Sequence, residues 1–261
     1  MKIKKENKRG QVTLFVILAI IIVAVLIILF YPRLKDLIGP STPSLQLQGC
    51  VEKKLNEAVF LVSQRGGSVE PVNGYMYKGE KVEYLCYTNQ YYQTCVMQQP
   101  LLKQHIEREI LDYIREDVKG CVSNLRSTLE KRGYSVSGEK DEISLSIEPG
   151  GINIEVSGFT ARNDELGVSY DNFKITKATK LYNLLMLTTS ILNWEARYGD
   201  SETTTYMLYY PNVKVEKLKQ SDGSKIYILT NTQTQDKFTF ATRSLSWPPG
   251  YGFGQIYTPK E

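Results

Sequence analysis

Residues 12–31 read VTLFVILAIIIVAVLIILFY, twenty positions without a charge, a glycine or a proline. No other feature constrains the chain as much. At about 1.5 Å per residue, a helix of this length spans about 30 Å, the thickness of a bilayer's hydrocarbon core. Helices buried in soluble proteins keep a polar edge, and here Thr13 is the one hydroxyl before Tyr31. The expectation is one transmembrane helix over residues 11–31.

The flanks orient it. Lys2, Lys4, Lys5, Lys8 and Arg9 precede the run, opposed by Glu6, while Arg33, Lys35 and Asp36 follow it. Positive charge stays on the cytoplasmic side, so residues 1–10 read as a basic cytoplasmic leader and everything beyond the helix as extracytoplasmic. The rival is a removed secretory signal, whose apolar stretch is about 7–15 residues and ends in a small-residue cleavage site. This run is longer and ends in Phe30-Tyr31-Pro32.

Topology also accounts for the net charge of +4: residues 37–261 carry 25 basic and 26 acidic side chains. No electrostatic footprint for phosphate is left, and no nucleic-acid partner is expected.

The junction Lys8-Arg9-Gly10-Gln11-Val12-Thr13-Leu14-Phe15 resembles an archaeal class III signal peptide, as found on type IV pilin and archaellin precursors. The resemblance covers about residues 5–31. It implies a prepilin peptidase-like enzyme cutting between Gly10 and Gln11. It also implies a helix that first anchors the chain in the membrane and later self-assembles in a filament core. Phe15 stands where bacterial members carry Glu, a departure common in archaeal ones. A plain signal anchor whose basic flank ends in glycine is the alternative.

Residues 32–49 contain Pro32, Pro40, Pro43, Ser41 and Ser44 and read as a linker. A helix is expected from about Cys50, with Leu55, Ala58, Val59 and Val62 on one face and Gly66-Gly67 at its end. Residues 82–87 and 91–96 flank Thr88-Asn89-Gln90 as a hairpin. Pro100 suits the first turn of a second helix through Ile106, Ile110 and Ile114, pausing at Gly120 and stopping at Gly133. Strands are expected at 143–147 and 152–156, a third helix over 175–198, and strands at 205–210, 225–229 and 237–241. The whole predicts an α+β fold in two sub-lobes, 50–157 and 158–246, followed by a Pro/Gly/aromatic tail at 247–261.

Four cysteines, Cys50, Cys86, Cys95 and Cys121, lie beyond the apolar run. An even number on an oxidising side favours disulfides, in any of three pairings. The hairpin brings Cys86 opposite Cys95, which leaves Cys50 and Cys121 to clamp two helices. Closing a loop of about 70 residues stabilises by about 4 kcal/mol in the chain-entropy model. Buried free thiols are the bland alternative, and the spacings do not suit zinc. No metal or cofactor is expected.

His105 is the single histidine, so a Ser–His–acid triad would have to use it, and no G-x-S-x-G element accompanies any serine. Gly66-Gly67 and Gly150-Gly151 read as turns, not phosphate loops. No catalytic residue is expected, and the chain does not read as an enzyme. Six of the eighteen tyrosines fall between Tyr75 and Tyr92, where they could face a protein or glycan partner or simply suit half-exposed strands. The expected function is a membrane-anchored cell-surface structural or interaction protein. It is either a filament subunit or a permanently anchored binding module, with an anchored enzyme as a remote third.

Overall fold

Apolar side chains at Leu102, Ile106, Ile110, Ile114, Val118, Val122, Leu125 and Leu129 bury one face of a 30-residue helix. The spacing of three and four matches the helical repeat. This helix, α2 (Leu102–Lys131), runs through Gly120 without the expected pause. One exposed glycine costs a helix about 1 kcal/mol, too little to break one that is anchored on both sides.

The computed structural model describes residues 17–23, 25–26, 42–138, 141–164 and 167–246. Within the apolar run, residues 17–23 and 25–26 are helical with exposed side chains. The full 11–31 span, the Gly10-Gln11 junction and the 247–261 tail lie outside the described residues. Among the described residues no helix is long and apolar enough to cross a membrane.

From residue 44 onward the chain is one mixed α+β unit. Helix α1 (Pro43–Gln64) starts seven residues earlier than expected. Leu47 is buried beside Val51, Leu55, Ala58 and Val62, so the last part of the expected 32–49 linker is the first two turns of this helix. Pro43, read as a linker residue, fits a first helical turn.

The main sheet runs in the order β1 (Gly74–Tyr77), β2 (Glu80–Tyr87), β12 (Lys237–Arg243), β11 (Ser224–Asn231), β10 (Val213–Lys219), with β3 (Val96–Met97) added to β2. Neighbours are antiparallel except β2 and β12, which pair in parallel. A second sheet joins β5 (Glu142–Glu148), β6 (Gly151–Ser157) and β9 (Phe173–Ala178), and a third joins β4 (Ser135–Ser137), β7 (Thr160–Asn163) and β8 (Val168–Tyr170). Helix α3 (Leu181–Tyr198) packs on β2, β11 and β12, and α2 packs on β4 and β5.

This topology overturns the division into sub-lobes at residue 158. β6 and β9 are paired across that position, β2 and β12 unite the two stretches, and one apolar cluster includes both Leu47 and Phe240. Three smaller expectations also change. The 91–96 arm of the hairpin shrinks to β3, with Tyr92 at φ 63°. Residues 173–178 form β9, its inward and outward positions alternating, and the third helix begins at Leu181. Residues 203–209, rich in β-branched and aromatic side chains, form helix α4 (Thr203–Tyr209). Their strand propensity is overridden because the Glu202 side chain accepts from the Thr204 N–H and caps the helix.

Candidate functional site

Both disulfides are present. Cys50 on α1 is bonded to Cys121 on α2, with Cα atoms 5.9 Å apart, and Cys86 on β2 is bonded to Cys95 beside β3, at 5.3 Å. The second bond sits next to the Cys86–Met97 pair where β3 joins the sheet. It therefore fixes the loop between the two strands.

The single histidine takes part in a constellation that the sequence did not suggest. After α1, Gly66 and Gly67 adopt left-handed backbone conformations (φ 82° and 103°), and a Cβ on Gly66 would meet Glu83 at 2.9 Å. The turn places the Ser68 hydroxyl 2.9 Å from His105 Nε2 and in a hydrogen bond to the Glu83 carboxylate. A nucleophilic triad puts the histidine between serine and acid. Here the serine lies between the other two and is buried, so the arrangement is a hydrogen-bonded knot. Burial raises the Glu83 pKa, with Ser68 opposing and Glu109 adding to the rise. Burial lowers that of His105, with Glu109 opposing.

A larger polar cluster forms where α3 ends. Gly199, at φ 79°, caps the helix by donating to the Glu195 carbonyl, and the chain turns through Asp200, Ser201 and Glu202 over β10. Glu195 is fully buried. Lys225 Nζ donates to both of its carboxylate oxygens, at 2.7 and 3.0 Å, and also to the Gly199 carbonyl, while the Tyr227 hydroxyl donates to Oε1. Asp200 Oδ1 lies 2.9 Å from Lys217 Nζ and 3.3 Å from Lys225, and Oδ2 lies 3.3 Å from Lys219. Burial raises the Glu195 pKa, and Lys225 opposes without cancelling it. Burial also pushes Asp200 upward, but Lys225, Lys217 and Lys219 together outweigh it and leave the carboxyl below its ordinary value. Lys217 donates in addition to the Ser201 carbonyl at 2.7 Å. Strand β10 thereby holds the turn by its backbone as well as by its charge.

That turn forms one side of a groove of about 600 Å³ between α3 and α4. Trp194, Tyr206, Tyr209 and Tyr210 supply aromatic walls, and Ser190, Ser201, Glu202 and Thr205 supply polar groups. Ser190 Oγ and the Tyr206 hydroxyl lie 2.9 Å apart and tie the two helices together. Trp194 is 50% exposed and Tyr209 73%. Ser201 is 1% exposed, and its hydroxyl has no hydrogen-bond partner among the described residues. A buried hydroxyl left unpaired costs about 1–3 kcal/mol, and this one lies beneath the groove's surface, out of contact with solvent. The Thr204 backbone N–H, and then its hydroxyl, hold the Glu202 carboxyl below its ordinary pKa.

The tyrosines between residues 75 and 92 do not form one face. Tyr84 is buried with its hydroxyl 2.7 Å from Ser224 Oγ, Tyr75 donates to Gln220, and Tyr91 and Tyr92 are exposed on the loop before β3. The groove draws instead on tyrosines more than a hundred residues later. Glu195 was the signal for the polar corner. It falls three residues after Leu192 on the apolar stripe of α3, where a carboxylate needs a buried cation.

Among the described residues no group of three or more His, Cys, Asp or Glu side chains is placed to hold a metal ion. No protein-family model, no curated protein and no solved structure matches this chain.

Proposed function

We propose that this chain is a membrane-anchored, single-pass cell-surface structural or interaction protein made from a type IV pilin-like precursor. Residues 1–10 are the cytoplasmic leader, residues 11–31 the anchor, and the α+β unit stands outside the membrane. The observation that carries this reading is the order of groups at the N-terminus: the basic pair Lys8-Arg9, small Gly10, Gln11, and then the uncharged run. Two disulfides joining all four cysteines support an oxidising surrounding. The partners implied are the membrane, a prepilin peptidase-like enzyme, and a protein or glycan at the outer domain. Self-assembly through the apolar helix is added if the chain enters a filament.

The test is the N-terminal residue of the mature protein, read by mass spectrometry from native membranes. Gln11 is expected, and material that uniformly retains Met1 or begins near Lys2 overturns the processing. A second reading is a permanently anchored binding module. The bulk of the outer unit and its recessed aromatic groove favour it. Sheared surface filaments containing this chain would decide for the filament subunit, whereas recovery only as dispersed detergent-soluble molecules would decide for the module.

A further inference from the structure

We infer that the groove between α3 and α4 binds a neutral oligosaccharide. This names a partner class for the surface role proposed above, but it rests on the groove's own chemistry. The cavity of about 600 Å³ falls within the range of about 300–1,000 Å³ usual for ligand sites. Its aromatic lining includes Trp194 and Tyr209, large apolar side chains with polar edges, of a kind suited to the C–H faces of pyranose rings. Between them stand hydroxyls of Ser190, Thr205 and Tyr206, which donate or accept, and a carboxylate that can only accept. A polyhydroxylated ligand needs that mixture.

Two features narrow the class. Glu202, held ionised, disfavours an anion. The groove also departs from a quaternary-ammonium cage, in which aromatic faces surround a cation that makes no hydrogen bonds. Here the hydroxyls of Ser190, Thr205 and Tyr206 interrupt the aromatic wall. They can exchange hydrogen bonds with sugar hydroxyls, and a methylated ammonium offers them none. The site is also built to stay in place. Lys217 bonds both the Asp200 carboxylate and the Ser201 carbonyl, and the Ser190–Tyr206 contact sets the spacing of the helices. A preformed groove keeps down the ordering cost of binding.

The test uses the full chain in detergent, titrated calorimetrically with maltotriose, cellotriose, mannotriose and N-acetylated chitotriose, and with tetramethylammonium as the cationic probe. At least one trisaccharide should bind saturably. Trp194→Ala and Tyr209→Ala should each weaken it about tenfold. Both aromatics are at least half exposed, so their removal leaves the core intact, and unchanged thermal unfolding checks this. The inference is overturned if no trisaccharide binds at millimolar concentration. It is equally overturned if tetramethylammonium alone binds, or if sugar binding survives both aromatic substitutions. Membrane fractionation and the mature N-terminus of the same preparation test the anchoring separately. Sugar binding by an unanchored chain would keep the groove and sink the anchor, and an anchored Gln11 chain that ignores all four sugars would do the reverse.

Discussion

Glu83 and Glu195 are both buried carboxylates on strands or helices of the central core, and burial raises the pKa of each. Their neighbours differ. Glu195 receives the ammonium of Lys225 and the hydroxyl of Tyr227. Glu83 accepts hydrogen bonds from Ser68 and Gln99 and makes no salt bridge among the described residues. The contrast shows two ways of tolerating an acid inside a fold. In one, a buried ammonium opposes the rise in pKa that burial imposes. In the other, hydrogen bonding without an ion pair opposes it. The first is sensitive to loss of its cation, and the second has no cation to lose.

The largest expected effect comes from Lys225→Met. It leaves Glu195 buried without its cation, and removing one partner of such a pair costs about 3–5 kcal/mol. Denaturant unfolding near neutral pH should show this loss, which should shrink as the pH falls and Glu195 takes up a proton. Equal loss at all pH values would mean that lost packing, and not the charge, is responsible.

Asp200 sharpens the comparison because its pKa is displaced in the opposite direction. A carboxyl lowered in the folded state contributes stability that is present above its unfolded value. That contribution is lost as pH falls through the depressed folded value. The acid limb of the wild-type stability curve should therefore flatten in Asp200→Asn. A limb of unchanged slope would assign acid sensitivity to other groups.

Smaller effects are expected at the knot. Ser68→Ala removes the hydroxyl shared by Glu83 and His105 and should cost about 1–3 kcal/mol, measured as a shift in the urea midpoint. Glu83→Gln should change stability least, by under about 1 kcal/mol near neutral pH, because a neutral amide takes the place of a group that burial already disfavours as an anion. Its signature lies in the slope. The raised pKa of Glu83 gives stability that is full below its ordinary value and is lost as pH rises through the raised one, and the Gln variant should lack that loss. If Glu83→Gln were as damaging as Lys225→Met, the distinction between the two acids would fail.

How legible these features were depended on the distance over which each is specified. The α2 stripe and the alternation in β5 and β6 are local patterns, and the structure has elements there. The Cys86–Cys95 bond spans nine residues, short enough for a local loop to suggest it. Residues 205–210 carry strand propensity, but the cap at Glu202 starts a helix there. The lobe boundary failed because the pairing of β2 with β12 joins Tyr84 to Ala241, a relation that no window of sequence contains. Of the groove, only the buried acid on α3 left a mark. Its walls come from Trp194 and from tyrosines that look like strand residues, and its polar groups from Ser190, Ser201, Glu202 and Thr205, which two separate helices and the turn between them bring together.

The parallel pairing of β2 with β12 also bears on how the chain acquires its structure during synthesis. Strand β12 is interior to the main sheet, flanked by β2 and β11, so the sheet remains in two pieces until residue 243 has emerged. Contacts of such long sequence separation slow folding, because the loop must be closed before they contribute. Meanwhile Cys86–Cys95 can close early and hold the start of β3 beside β2, but on the edge opposite β12, so the edge that β12 will take stays unpaired and prone to aggregation until then. A ribosome that stalls before Lys237 would therefore release a nascent chain lacking a central strand, a substrate for quality-control proteolysis.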